Sequence, residues 1–220
     1  MSVTQNLEKL KNKIGDRTNL LAVSKTKPLE MIEEAYLFGQ RDFGENKIQD
    51  LFEKAHALSH LRDIRWHFIG TLQSNKLNKL LSVPGLYAIH SIDSLSLVDK
   101  LLKKSLDQKI KIFLQVNTSG EEEKSGFDNF EELDQAVQKL KGQESWELAG
   151  LMTIGSIRAD DFEKAARNCF EQLVAFRNRL CEKYDIDLEL SMGMSQDYEI
   201  AIGYGSNWVR IGSDIFGLRE

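Results

Sequence analysis

The chain has 220 residues, of which 41% are apolar and 29% charged, with a formal net charge of -5. This supports a sizeable core under a soluble surface, and the acidic balance argues against a nucleic-acid binder working through a general basic field. Apolar runs end after about five residues, far short of a membrane span, and no apolar signal region follows Met1.

Residues 2–14 read as an amphipathic helix, with Val3, Leu7, Leu10 and Ile14 at helical spacing. A first strand follows at 20–24, running into Ser24-Lys25-Thr26-Lys27-Pro28. Pro28 suits a first helical position, because its missing N–H would have no partner there. The helix from Leu29 to Phe38 ends at Gly39. A second strand turns sharply at Gly44 within Arg41–Asn46, and helical spacing resumes over Lys47–Ala57. Trp66–Gly70 is a third strand, followed by polar Thr71–Lys76 and a helix through Leu81. Leu86–His90 is a fourth strand, with a helix from Ser94 to Leu106. Ile110–Val116 is a fifth, followed by a polar loop and a helix at 129–141. The run Glu121–Glu123, answered by Lys124, reads as solvated loop. Leu148–Met152 is a sixth strand before a long helix over 160–183. Residues 188–193 form a seventh strand with a short helix at 195–202, and Trp208–Ile211 is the eighth. Cys169 and Cys181 share the long helix about 18 Å apart, too far for a disulfide. They read as free thiols in a reducing, cytoplasmic setting.

Strand and helix alternate eight times with no low-complexity linker. Such alternation means parallel strands with helices outside. Eight units of about 25–30 residues predict a single α/β domain over 1–220, a closed (β/α)8 TIM-type barrel with an extra N-terminal helix placed to cover its bottom.

A barrel builds its site from the loops at the carboxyl ends of its strands, which puts Lys25 at the mouth. The loops read there hold no close carboxylate pair, no Ser/His/Asp set and no metal-ligand cluster, but many amides, hydroxyls and glycines. Three Gly/Ser turns, Ser191-Met192-Gly193-Met194-Ser195, Gly205-Ser206 and Gly212-Ser213, suit an anion through backbone N–H groups. Barrels often hold phosphate after strands seven and eight. Arg210 alternates with Val209 and Ile211, so it points into the barrel and requires a partner, either a carboxylate or a ligand acceptor. His67, between Trp66 and Phe68, reads either as a hydrogen-bonded core histidine or as a ligand contact.

The segments LLAVSKTKP, FGENKIQD, WHFIGTLQSNK, HSIDS, VNTSGEEEKSGF, GLMTIG, LSMGMSQD and VRIGSDIFG occur in this order from about residue 20 to 217. Together they resemble the YggS/PROSC family of pyridoxal phosphate-binding proteins, whose fold is similar to the barrel of alanine racemase. The resemblance implies pyridoxal 5'-phosphate as cofactor, held as an aldimine on Lys25, and a role in vitamin B6 and amino-acid homeostasis without established catalysis. An amine attacks an aldehyde only when neutral, and a site enclosed by Val23, Phe43 and Phe68 would lower the lysine pKa by desolvation.

By the same resemblance, Asn46 and His67 belong to the cofactor site. Ser195 and Ser191, with Gly205-Ser206 and Gly212-Ser213, form the phosphate end, Met194 belongs to the cofactor site, and Arg210 faces the pyridine nitrogen. Asn207 stands where the family commonly has Thr, which puts phosphate affinity in question, and Lys47 replaces a common aromatic at the surface. The resemblance implies acceptor enzymes as partners, no nucleic acid or membrane, and a monomer. The alternative is a racemase. That reaction requires a base on each face of the cofactor, supplied in alanine racemases by a tyrosine on a domain after the barrel. Here the chain stops a few residues past strand eight, and Tyr204 lies near the expected site with nothing to identify it as a base.

Overall fold

The computed structural model describes residues 2–121, 125–155 and 160–217. Glu122, Glu123 and Lys124 of the acidic run therefore lie outside the described residues. Eight parallel strands pair in chain order and close on themselves. They are β1 Asn19–Val23, β2 Asp42–Glu45, β3 Arg65–Phe68, β4 Leu86–Ile92, β5 Ile110–Gln115, β6 Trp146–Met152, β7 Glu189–Ser191 and β8 Trp208–Ile211. Closure is made by β8 against β1, from Asn19 opposite Trp208 to Ala22 opposite Ile211. Around the barrel stand α1 Val3–Ile14, α2 Leu29–Leu37, α3 Ile48–Ala57, α4 Leu77–Leu81, α5 Leu95–Leu101, α6 Phe130–Leu140, α7 Phe162–Tyr184, α8 Tyr198–Gly203 and α9 Ser213–Phe216.

Strand alternation sorts the side chains into two layers. Outward residues such as Ala22, Phe43, Trp66, Phe68, Leu190 and Val209 join the helices in the larger core. Inward residues, among them Leu21, Phe113, Met152 and Trp208, fill the barrel itself. Inward polar side chains are interleaved with them, and these are what the site is built from.

The expected eight-unit barrel is observed, with local differences. The N-terminal helix does not cover the bottom. α9 has only four residues, which leaves a gap in the outer ring, and α1 packs there against α9 and α2. Asn6 Nδ2 donates to the Ile215 carbonyl, and the Thr4 N–H and hydroxyl donate to Glu34. A capping box of Ser2 and Gln5 opens α1. β4 runs on to Ile92 through a register shift against β5, and α5 ends at Leu101 rather than Leu106. β7 stops at Ser191 because Gly193 turns the chain at φ +96, where an added Cβ would lie 2.7 Å from the Ala201 Cβ. Pro28 serves as the N-cap of α2, and Cys169 and Cys181 are both free on α7.

α1 holds its place through one buried face, and Leu7 on it is fully buried. Truncation to Ala should cost about 2–5 kcal/mol. Urea unfolding of Leu7→Ala should show a lower midpoint at unchanged slope.

Candidate functional site

At the carboxyl ends of the strands lies a cleft of about 940 Å³, lined among others by Val23, Lys25, Asn46, Ser195, Arg210 and Ser213. That volume lies in the range of small-molecule sites. Lys25 reaches it by alternation. Leu21 packs in the barrel interior, Val23 lines the cleft, and Lys25 lines it two residues on. The residue between is clamped on the other side. Ser24 donates its N–H to the Gly44 carbonyl (3.0 Å) and its hydroxyl to Glu45 Oε1 (2.7 Å), while its carbonyl accepts from Lys54 Nζ (2.8 Å). Lys54 also pairs with Glu45 at 2.7 Å. Burial raises the Glu45 pKa, and Lys54 and Ser24 oppose that shift. Thr26 then adopts φ +65, a left-handed conformation uncommon for a β-branched residue. The Lys25 turn is thus held from behind by a buried ion pair.

The opposite wall is built by the turns after β7 and β8. Ser213 Oγ donates to Ser195 Oγ at 2.9 Å, so two hydroxyls from separate loops converge. Gly212 lies close to β1, since an added Cβ would approach the Val23 carbonyl to 3.0 Å. Met194 lines the cleft with its side chain, but its N–H is taken by Asp197 Oδ1 at 2.6 Å. Asn46 is an exposed rim residue. Gly70 beside it is obligatory, because a Cβ there would lie 2.0 Å from the Asn46 carbonyl oxygen.

Arg210 projects into the same cleft from β8 yet is only 5% exposed. Nη1 donates to the Ser191 carbonyl (2.7 Å) and hydroxyl (3.0 Å), and Nη2 to the Thr153 carbonyl (2.8 Å). No carboxylate lies within ion-pair distance among the described residues. Burial pushes its pKa down to about 10, with Asp197 pulling upward, so it remains a cation at neutral pH. Of its five N–H groups, three are bonded to protein, which leaves donors for a ligand.

Beneath Arg210 a polar chain crosses the barrel. Ser191 Oγ lies 2.9 Å from His90 Nδ1, His90 Nε2 2.9 Å from His67 Nδ1, and His67 Nε2 2.9 Å from Asp42 Oδ1. Asp42 is held by Arg65 through both carboxylate oxygens. Both imidazoles are fully buried between the rings of Tyr87, Phe113 and Trp208. Burial lowers both histidine pKa values. Burial would raise the Asp42 pKa, but the bonds from His67 and Arg65 outweigh it and the net shift is downward.

The structure therefore brings together Lys25, Asn46, Met194, Ser195, Arg210, Gly212 and Ser213, and separates the other residues expected at the site. Ser191 is fully buried under Arg210 and faces no open space. His67 is one strand layer below the cleft, in the core role. Gly205 and Ser206 precede β8 and do not line the cleft. The Ser206 hydroxyl donates to the Met192 carbonyl at 2.7 Å. Asn207 precedes β8 too, its Oδ1 accepting the Leu190 N–H at 2.8 Å, so its exchange for Thr does not touch the cleft. Tyr204 packs on Phe170 at the end of α8, also away from the cleft. Phe43 and Phe68 point outward into the helical layer; of the three expected walls only Val23 lines the cleft. Lys47 is exposed, as expected.

Sequence reasoning assigned no role to Lys27, Asp197, Ile69 and Ile154, which also line the cleft, or to Asp42 and His90 beneath it. Alternation within β2, where Phe43 faces outward, and within β4, where Ala88 faces inward, turns Asp42 and His90 inward. The position of Asp197 depends on the turn it closes and has no such signal.

Eight parallel strands closing around a cleft at their carboxyl ends define a (β/α)8 barrel with a small-molecule site in its mouth. The family model described as alanine racemase, N-terminal domain, matches residues 2–220. The mouse pyridoxal phosphate homeostasis protein is 46% identical over 212 residues, covering 91% of this chain and 77% of that one. Its counterpart in Schizosaccharomyces pombe is 44% identical over 210 residues, covering 93% and 86%. Among solved structures, PipY of Synechococcus elongatus with PLP bound superposes with TM-score 0.88 at 33% identity, covering 98% of this chain and 100% of that chain. Alanine racemase from E. faecalis shares the fold, with TM-score 0.78 at 17% identity over 99% of this chain and 58% of its own. The chain belongs to the pyridoxal phosphate homeostasis protein family.

Two buried neutral histidines make stability depend on pH. With folded pKa values below the unfolded value, the unfolded chain binds more protons as pH falls. Their contribution is complete above about pH 6.5 and is lost below it. Asp42, also shifted down, contributes above its ordinary value of 3.8 and loses that as pH falls further. Denaturant unfolding from pH 8 to 4 should show declining stability below about 6.5, and His90→Gln should flatten the upper part of that decline.

Proposed function

We propose that this chain is a pyridoxal 5'-phosphate homeostasis protein that holds the cofactor in the carboxyl-end cleft and passes it to acceptor enzymes. One observation carries the reading: a lysine, a buried arginine with no carboxylate in ion-pair distance among the described residues, and two converging hydroxyls face one cleft of ligand size. The arrangement fits the group. The Ser195 and Ser213 hydroxyls and Gly212 would hold the phosphate, Arg210 would meet the ring nitrogen, and Lys25 would meet the aldehyde. When bound, the cofactor would supply an aldehyde to the amine of Lys25, the residue that would tether it. Lys25 attacks only as the neutral amine. A permanent cation at Arg210 withholds a proton from the ring nitrogen, which leaves the ring a weak electron sink.

The binding reading extends to a protein that does not turn over amino acids. A racemase requires an acid–base group on each face of its cofactor. Among the described residues the ionisable side chains lining the cleft are Lys25, Lys27, Asp197 and Arg210, with no tyrosine or histidine. The relatives named above carry the name of a homeostasis protein. A monomer is part of the proposal, supported by Leu37 being the single exposed large apolar side chain among the described residues. No helix among them is long and apolar enough to cross a membrane.

Borohydride reduction after incubation with pyridoxal 5'-phosphate should label one peptide, the one containing Lys25, and Lys25→Ala should abolish the label. Label elsewhere overturns the assignment. Loss of both hydroxyls in Ser195→Ala/Ser213→Ala should weaken pyridoxal 5'-phosphate binding about tenfold and leave pyridoxal unaffected. Conversion of an L-amino acid to its enantiomer above the Lys25→Ala background would establish a racemase instead.

A further inference from the structure

We infer that Asp42, His67, His90 and Ser191 form a one-way hydrogen-bond chain that orients Arg210, making the two histidines positioning residues for the cofactor. The inference rests on the reading of Arg210 given above. The direction follows from the two ends. At the floor, Asp42 is gripped by the Arg65 fork at 2.7 and 2.5 Å, so its carboxylate is ionised and can only accept. His67 Nε2 at 2.9 Å must therefore carry the proton. A neutral imidazole then has a bare Nδ1, and His90 Nε2 at 2.9 Å must donate to it. His90 Nδ1 is bare in turn, so the Ser191 hydroxyl donates to it at 2.9 Å. With its one hydrogen directed down the chain, Ser191 Oγ presents a lone pair to Arg210 Nη1 at 3.0 Å.

Every donor in the chain finds an acceptor in this arrangement. The reverse direction fails at both ends. It would need an additional proton, on Asp42 or as a second buried cation beneath Arg210. It would also have the Ser191 oxygen accept from both His90 and Arg210, with no acceptor for its own hydrogen among the described residues. Purely apolar packing would not need two histidines at this depth, since the surrounding wall is already Tyr87, Phe113 and Trp208. The chain therefore sets the proton position on Ser191 from the far end of the barrel, and Ser191 together with the Thr153 carbonyl sets the plane of the guanidinium.

The test uses the full chain. Long-range proton–nitrogen correlation spectra of ligand-free protein at pH 7 should show both His67 and His90 neutral and protonated on Nε2. An Nδ1-protonated or imidazolium form of either overturns the proposal, and this arm does not depend on cofactor binding. Absorbance titration with pyridoxal 5'-phosphate then compares His90→Phe with His90→Gln. Phe keeps the packing and breaks the chain, while Gln can both accept from Ser191 and donate to His67. The dissociation constant should rise about fivefold in His90→Phe and return to within twofold of wild type in His90→Gln. Equal binding by the Phe variant and wild type, or equal weakening in both variants, rejects the positioning role. Where His90→Phe does not fold, Ser191→Ala against Ser191→Thr makes the same comparison. If wild type binds no pyridoxal 5'-phosphate, the functional reading falls alone and the spectra decide the direction of the chain.

Discussion

A guanidinium that is almost wholly buried, with no carboxylate within ion-pair distance among the described residues, sets the terms for the rest of this barrel. Such a charge is tolerable only when its N–H groups meet well-oriented acceptors, and Arg210 finds two carbonyls and one hydroxyl. The Ser191 hydroxyl is itself supported by His90, His90 by His67, and His67 by Asp42. The polar core is thus a consequence of placing a permanent cation at the cleft floor, and the apolar rings around it close the space that water would otherwise occupy.

The lysine side of the cleft is governed by a different constraint. Alternation along β1 points Lys25 inward, but a residue just past a strand end has freedom that alternation alone does not remove. The buried pair of Glu45 and Lys54 removes it by bonding Ser24 through its hydroxyl and its carbonyl, on the face opposite the cleft. Removing one partner of such a pair would strand the other charge in the core. Two buried charged systems, one behind Lys25 and one below Arg210, therefore fix where these two cleft residues stand, with the β1–β8 pairing between them.

Much of this was legible from the residues. The eightfold alternation of strand and helix predicts a closed parallel barrel because parallel strands need crossovers and eight of them complete a ring. Lys25, Arg210 and the Gly212-Ser213 turn were recognisable because each immediately follows or ends a strand. The Gly205-Ser206 turn was misplaced for a related reason. A Gly/Ser turn has the same composition at either end of a strand, and only the start of β8 at Trp208 shows that this one precedes the strand. α1 was likewise misplaced, since nothing local in a helix says which gap in the ring it will fill.

The number of units, the residues that alternate inward and the resemblance that named a cofactor can all be read along the chain. These depend on period, spacing and order along the chain, which are local properties. Folding was needed to show that Ser195 and Ser213 meet, that Ser206 and Tyr204 do not line the cleft, and that His67 lies below it. It also decided that His67 and His90, 23 residues apart in the chain, are bonded to each other. Contacts of this kind are set by the register and closure of eight strands, and no segment taken alone contains that information.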